Sequence, residues 1–198
     1  EAAPSRQFDI SKIDFDLLSR EFAHTRRKNL LLRDLDELVN QQLAKMLFAN
    51  PQRIDYYDRY QEIIDAYNAE QNRATIEKTF MDMMELASSL DTEQQRYVRE
   101  GFSSDEELSV YDLLFSENLT KQEIETIKKV SVDLLTTIKQ QIAKLDHWTD
   151  KQETKAIVDN LIRNTLWQEL PNSYDVSDIQ TYQKKIYEYV YMRYPEVA

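Results

Sequence analysis

The chain contains a single glycine, Gly101, in 198 residues, where average usage of roughly 7% would supply about fourteen. Glycine supplies the positive-φ positions of tight hairpins and lets a backbone approach a bound phosphate closely. It also supplies the strained turns that carry nucleophilic serines. A chain almost without it is expected to consist of helices joined by polar turns. The same scarcity argues against chemistry that depends on a glycine-rich loop.

Helical start signals recur along the sequence, each followed by an apolar stripe with a period near 3.6. Ser11 with Asp14 is expected to open a short helix carrying Ile13, Leu17 and Leu18. The next helix aligns Leu31, Leu35, Leu38, Val39, Gln42 and Met46. Pro51, at an N1-type position after Asn50, opens a helix through Tyr60, Ile63, Ile64 and Tyr67. Another carries Ile76, Phe80, Met83, Met84, Ala87 and Leu90, and Asp91 with Gln94 is expected to cap a short helix ending near Gly101.

The polar stretch from Gly101 to Glu107 is the one break of any length, and it places a module boundary between 1–100 and 101–198. Beyond it, a short helix holds Leu108, Tyr111, Leu114 and Phe115. Thr120 with Glu123 reads as a capping box opening a long helix through Ile124, Ile127, Leu134, Ile138 and Leu145. A further helix is expected after Thr149, running through Ile157, Leu161 and Leu166 to Pro171. The last spans about 178–194 and stops at Pro195. No segment alternates with period 2, so the expected fold is all-α: two packed helical modules without a sheet.

Hydrophobic residues make up 41% and charged residues 31% of the chain, as in folded globular proteins. No apolar run approaches the ~20 residues of a membrane span, and no leader-type segment opens the sequence. Because the first residue is Glu1 and not Met, a processed or excised chain is expected. The absence of cysteine removes disulfides and thiolate metal sites and fits a reducing compartment. A net charge of −11 argues against non-specific wrapping of nucleic acid, which needs a basic surface.

The enzymatic patterns are weak. Leu30 to Glu37 resembles an apolar-run-then-acid magnesium motif, but no glycine-lined lysine loop accompanies it. Glu153-Thr-Lys155 has the acid-x-lysine spacing of a nuclease strand, yet it falls at a helix start. There, residues two apart are turned roughly 200° from each other. His24 and His147 are far apart in sequence, and neither has a ligating partner at helical spacing. No catalytic, cofactor-binding or metal-binding residue is expected.

Two features invite an interaction reading. His24-Thr-Arg26-Arg27-Lys28 is the one basic cluster, so Arg26, Arg27 and Lys28 are candidate contacts to DNA phosphates, with Arg53 and Arg59 as further candidates; an exposed inter-helix loop is the simpler account. On the last helix, Tyr182, Ile186, Tyr189, Val190 and Arg193 form one stripe and Tyr187, Tyr191 and Tyr194 a second. A helix with two aromatic faces is either buried on both sides or docks on a partner. Tyr187, Tyr191 and Tyr194 are the candidate docking residues, and Tyr56, Tyr57, Tyr60 and Tyr67 pose the same choice more weakly.

The segment Asn50-Pro-Gln-Arg53, continuing through Arg59-Tyr60-Gln-Glu62-Ile-Ile to Tyr67-Asn68, resembles the helical region of the restriction (R) subunit of type I restriction-modification enzymes. Glu106-Glu107-Leu108-Ser-Val-Tyr111-Asp112-Leu-Leu is similar to a second signature of that family, with Val110 in place of the usual aromatic. Trp148, Lys155-Ala156-Ile-Val and Leu170-Pro171 are similar to its closing helices, so the resemblance runs from about Ile13 to Leu170. It implies a parent subunit with a nuclease domain and two ATP-driven, magnesium-using motor domains ahead of this helical tail. None of those catalytic motifs occurs in the chain, so no catalytic residue carries over. What the resemblance implies is a role in assembly: bracing the subunit's own motor domains and docking on the methyltransferase and specificity subunits, near DNA, in a bacterial or archaeal cytoplasm. The alternatives are a DNA-contacting accessory domain and an unrelated helical scaffold.

Overall fold

In the computed structural model, residues 13–195 are described. Among them are nine α-helices and no strand, so the fold is all-α. None of these helices is long and apolar enough to cross a membrane. The chain divides into two compact units, Glu1–Arg96 and Tyr97–Ala198.

The first unit contains α1 (Phe15–His24), α2 (Lys28–Ala49), a single 3-10 turn (Pro51–Arg53), α3 (Ile54–Ala69) and α4 (Arg73–Gln94). Helix α4 packs along both α2 and α3. Its stripe Phe80, Met83, Leu86, Ala87 and Leu90 is wholly buried, as the 3.6 period requires of a helix lying between two others. Each such Leu, Met or Phe contributes about 1.5–3 kcal/mol on leaving water. Helix α1 joins this core through Phe22, whose ring stacks on Phe80 with centroids 3.6 Å apart.

The second unit contains α6 (Asp105–Leu114), α7 (Lys121–Ile142), α8 (Gln152–Glu169) and α9 (Val176–Arg193). Helix α7 packs on α6 and α8, and α9 on α8 and α6, so the four close into a ring around one core. Local signals set where each begins. Ser104 caps α6, and Thr120–Glu123 and Asp175–Asp178 form capping boxes on α7 and α9. These satisfy backbone N–H groups that have no partner within the helix.

Gly101 closes the one-turn helix α5 (Arg96–Arg99) at φ +84°. The Phe102 N–H donates to the Tyr97 carbonyl at 2.9 Å and the Gly101 N–H to the Val98 carbonyl at 3.1 Å. That pair of bonds is the Schellman stop, with Tyr97 and Phe102 packed on the same core. A Cβ added at Gly101 would meet nothing within 4 Å. The glycine is therefore required by its backbone angle and not by crowding.

Several expected boundaries shift. Asp14, not Ser11, caps α1, accepting from the Leu17 N–H at 2.9 Å; Ser11 lies outside the described residues. Asp91 does not cap a new helix, because α4 continues to Gln94; no breaker interrupts it, and buried Leu90 and Glu93 hold that turn in place. Helix α7 ends at Ile142, short of Leu145, and the chain reverses through His147 at φ +46°. Thr149 is not the cap of α8, which begins after Lys151 without a side-chain cap. Instead the Thr154 hydroxyl donates to the carbonyls of Trp148 and Lys151. Helix α9 starts two residues early because Asp178 is the third residue of its capping box, not its first helical one.

Candidate functional site

The Asn-Pro-x-Arg segment is a structural staple. The Asn50 side chain accepts from the Gln52 N–H at 3.1 Å, shaping the 3-10 turn that delivers Arg53 inward. There the Arg53 Nε donates to Glu93 Oε1 at 3.0 Å, with both side chains buried, and Arg96 approaches the same oxygen at 2.8 Å. A buried carboxylate is tolerable only with such partners. Further along α3, the Tyr60 hydroxyl donates to Asp36 at 2.8 Å and Arg59 pairs with Glu85 at 2.9 Å. Burial first, and the Asp36 bond second, push the Tyr60 hydroxyl well above the ordinary phenol range. Arg53, offered by sequence as a phosphate contact, is 3% exposed and committed to Glu93, which corrects that expectation.

The second signature is spent in the same way. Glu106 forms an ion pair with Lys139. Glu107 accepts from the Ser103 N–H at 2.8 Å, while its own N–H donates to the Ser104 hydroxyl at 3.3 Å. Tyr111 packs against Phe102 and Phe115. Lys128 lies over the Phe102 and Tyr111 rings and donates to the Glu100 carbonyl.

The basic cluster separates into two kinds of residue. Arg26 and Arg27 are exposed at the turn between α1 and α2. Lys28 is not: it pairs with Glu77 at 3.0 Å and sits 4.6 Å above the Phe22 ring. The Lys28 and Arg73 partners hold the Glu77 carboxyl below the usual carboxylate range.

The aromatic stripe divides as well. Tyr187 and Tyr191 lie together, both edge-on to buried Trp148 at 6.2 and 5.7 Å, with Lys155 5.7 Å above Tyr191. Tyr194 leaves the stripe because it caps α9 with non-helical backbone. Its ring meets Tyr189 and Lys139, and its carbonyl accepts the Trp148 indole N–H at 2.6 Å. On the other stripe Ile186, Tyr189 and Val190 are buried, and half-buried Tyr182 meets Tyr174 edge-on. Tyr191 is 39% exposed.

Of the enzymatic patterns, Asp36 is the acceptor for Tyr60, and Glu153 and Lys155 lie in the first turns of α8, where helical spacing turns them apart. His24 and His147 belong to different units. Among the described residues no group of three or more His, Asp or Glu is placed to hold a metal ion.

One feature was not anticipated. Between the start of α1 and α2 lies an open groove of about 400 Å³ with a floor of Ile13, Leu18, Leu31, Leu35 and Leu38. The sequence pattern marks Leu31, Leu35 and Leu38 as core. Leu35 and Leu38 are buried as that pattern requires, and Leu31 is half-buried.

These features define an all-helical region whose signature residues are turned inward to hold two separate cores. The chain belongs to the family of HindI-like type I restriction enzyme endonuclease subunits, as their C-terminal region: the family model matches residues 1–194. This excludes the unrelated helical scaffold. No curated protein and no solved structure matches the chain.

Proposed function

We propose that this C-terminal region of a type I restriction R subunit is a non-catalytic assembly module. It braces the motor of its own subunit and docks that subunit on the methyltransferase and specificity subunits. The observation that carries this reading is the fate of the signature residues: Arg53, Tyr60, Glu106, Glu107 and Tyr111 all serve internal bonds and packing. Residues used in this way supply rigidity, not chemistry. ATP and magnesium belong, on this reading, to regions outside the chain, and the complex works in the cytoplasm.

The test is capture of purified methyltransferase and specificity subunits by the immobilised chain. The wild type retains them, and Tyr187→Ala/Tyr191→Ala, which strips the half-exposed aromatic pair, retains less. A folded wild-type chain that retains nothing overturns the docking role.

A second reading, a DNA-contacting accessory role, is favoured by the exposure of Arg26 and Arg27 on one turn. On that reading Arg26→Ala/Arg27→Ala lowers the salt slope of DNA affinity by about 2, since each phosphate contributes roughly 0.9. Lys28→Ala leaves it unchanged, because Glu77 already holds that charge. A slope unaltered in the double variant removes the reading.

A further inference from the structure

We infer that the cleft where α2, α3 and α4 meet binds a small, uncharged, flat molecule bearing an amino group, the chemistry of an amino-substituted nitrogen heterocycle such as adenine. The site is separate from the docking role proposed above and does not depend on it.

The cleft follows from the packing of three helices. Helices α2 and α3 both lie along α4, and the Tyr60–Asp36 hydrogen bond ties α2 to α3. Asn29, Leu32, Arg33 and Asp36 of α2, Ile64 and Tyr67 of α3, and Thr79 and Met83 of α4 line a cavity of about 260 Å³. Asn29 and Arg33 are exposed and Asp36, Ile64 and Tyr67 half-buried, so these walls reach solvent; Leu32, Thr79 and Met83 lie buried beneath them. Ile13 and Leu18 stand over the part of α2 that carries residues 31, 34, 35, 38 and 41. At about 100° per residue, that face is turned roughly 180° from the cleft.

Two polar groups make the cleft more than a packing gap. Thr79 is only 4% exposed, yet its hydroxyl makes no hydrogen bond among the described residues. On other helices Thr126, Thr137 and Thr165 donate to the carbonyl four residues back. A buried hydroxyl without a partner is costly, and one that borders a cavity is completed by a guest. Asp36 is the second group. Its Oδ1 accepts from Tyr60 at 2.8 Å, and no other hydrogen bond among the described residues reaches the carboxylate.

The lining selects the guest. Arg33 and Asp36 carry opposite charges on adjacent turns, so a guest that is wholly anionic or wholly cationic meets repulsion from one of them. The second Asp36 oxygen takes an N–H from an amino group in a charge-assisted bond. The Thr79 hydroxyl can donate to a ring nitrogen, while Leu32, Ile64, Met83 and the Tyr67 ring give a flat body apolar and aromatic contact. The volume lies below the roughly 300 Å³ at which drug-sized sites begin, which limits the guest to one or two rings. The net charge of −11 favours a free molecule over a base presented on a phosphate strand.

The test adds adenine, and purine as its counterpart without the amino group, to the full chain and follows amide chemical shifts. Adenine is expected to bind below about 5 mM, within reach of about ten non-hydrogen atoms, and to shift amides around Asn29–Asp36, Ile64–Tyr67 and Thr79–Met83. Purine is expected to bind about tenfold more weakly. Thr79→Val is expected to weaken adenine about fivefold or more while leaving the thermal midpoint of the ligand-free chain unchanged or raised, since no internal bond is lost.

No adenine binding, shifts that fall elsewhere, or equal affinity for purine overturns the site. A lowered midpoint for Thr79→Val overturns it as well, by showing that the hydroxyl serves the fold. Adenine binding that appears only after removal of residues 1–12 assigns the cleft to the chain's own N-terminal segment and has the same effect. A single-stranded oligoadenylate that binds about tenfold more tightly than adenine, and is displaced by it, overturns the free molecule as the source of the base.

Discussion

The two units build helical cores from different materials. Among the described residues, the first buries Gln42, Asn50, Arg53, Thr79 and Glu93 along with its leucines and methionines. The second buries nothing more polar than Ser109 and Ser131, whose hydroxyls donate to carbonyls one turn back. A core with an internal ion pair loses most when one partner is removed alone, whereas an apolar core of aliphatic and aromatic side chains loses stability in proportion to the volume removed. One unit is therefore sensitive to single polar changes, and the other to cavities.

The sharpest way to break that contrast is Glu93→Ala. It leaves buried Arg53 without its carboxylate and is expected to cost the first unit about 3–5 kcal/mol. Urea unfolding followed by amide exchange in α4 and α7 separates the units; a loss shared equally by both would end the distinction. Replacing the pair together, as Arg53→Met/Glu93→Leu, is expected to restore most of the loss.

The counterpart is Leu134→Ala, at a fully buried site on α7, with an expected cost of about 3 kcal/mol confined to the second unit. Smaller still are two backbone changes of opposite sign. Gly101→Ala forces a side chain into the left-handed region for about 1–2 kcal/mol, and His147→Gly relieves the same strain by a similar or smaller amount. Thermal unfolding checks both, and a destabilising His147→Gly would show that its imidazole contacts outweigh the strain.

The least effect is expected from acid. Lys28 and Arg73 hold Glu77 below the usual carboxylate range, and bonds from Thr120 do the same for Glu123. With the folded pKa depressed, each contribution is full at neutral pH and is lost as pH falls through that folded value. Carboxyl chemical shifts should titrate below the ordinary ~4.3 of glutamate. Lys28→Ala should return only Glu77 toward it, and Thr120→Ala only Glu123.

The all-α fold and the helix interiors were legible because a 3.6-residue stripe such as Phe80–Met83–Ala87–Leu90 has one physical reading. Ends were less legible. Asp91 has the side chain of a cap, but nothing in its neighbours reports that α4 continues past it. Arg53 and Lys28 are indistinguishable by sequence from Arg26 and Arg27, since their partners, Glu93 and Glu77, lie forty and forty-nine residues away.

Trp148 has a consequence of another kind. The chain has two tryptophans, and both, Trp148 and Trp167, lie in the second unit, one sealed in the core and the other 48% exposed. Excitation at the red edge of indole absorption therefore interrogates that unit alone. The first is spectrally silent there, so indole emission follows the second unit while helical ellipticity follows both, and their difference reports the first without cutting the polypeptide.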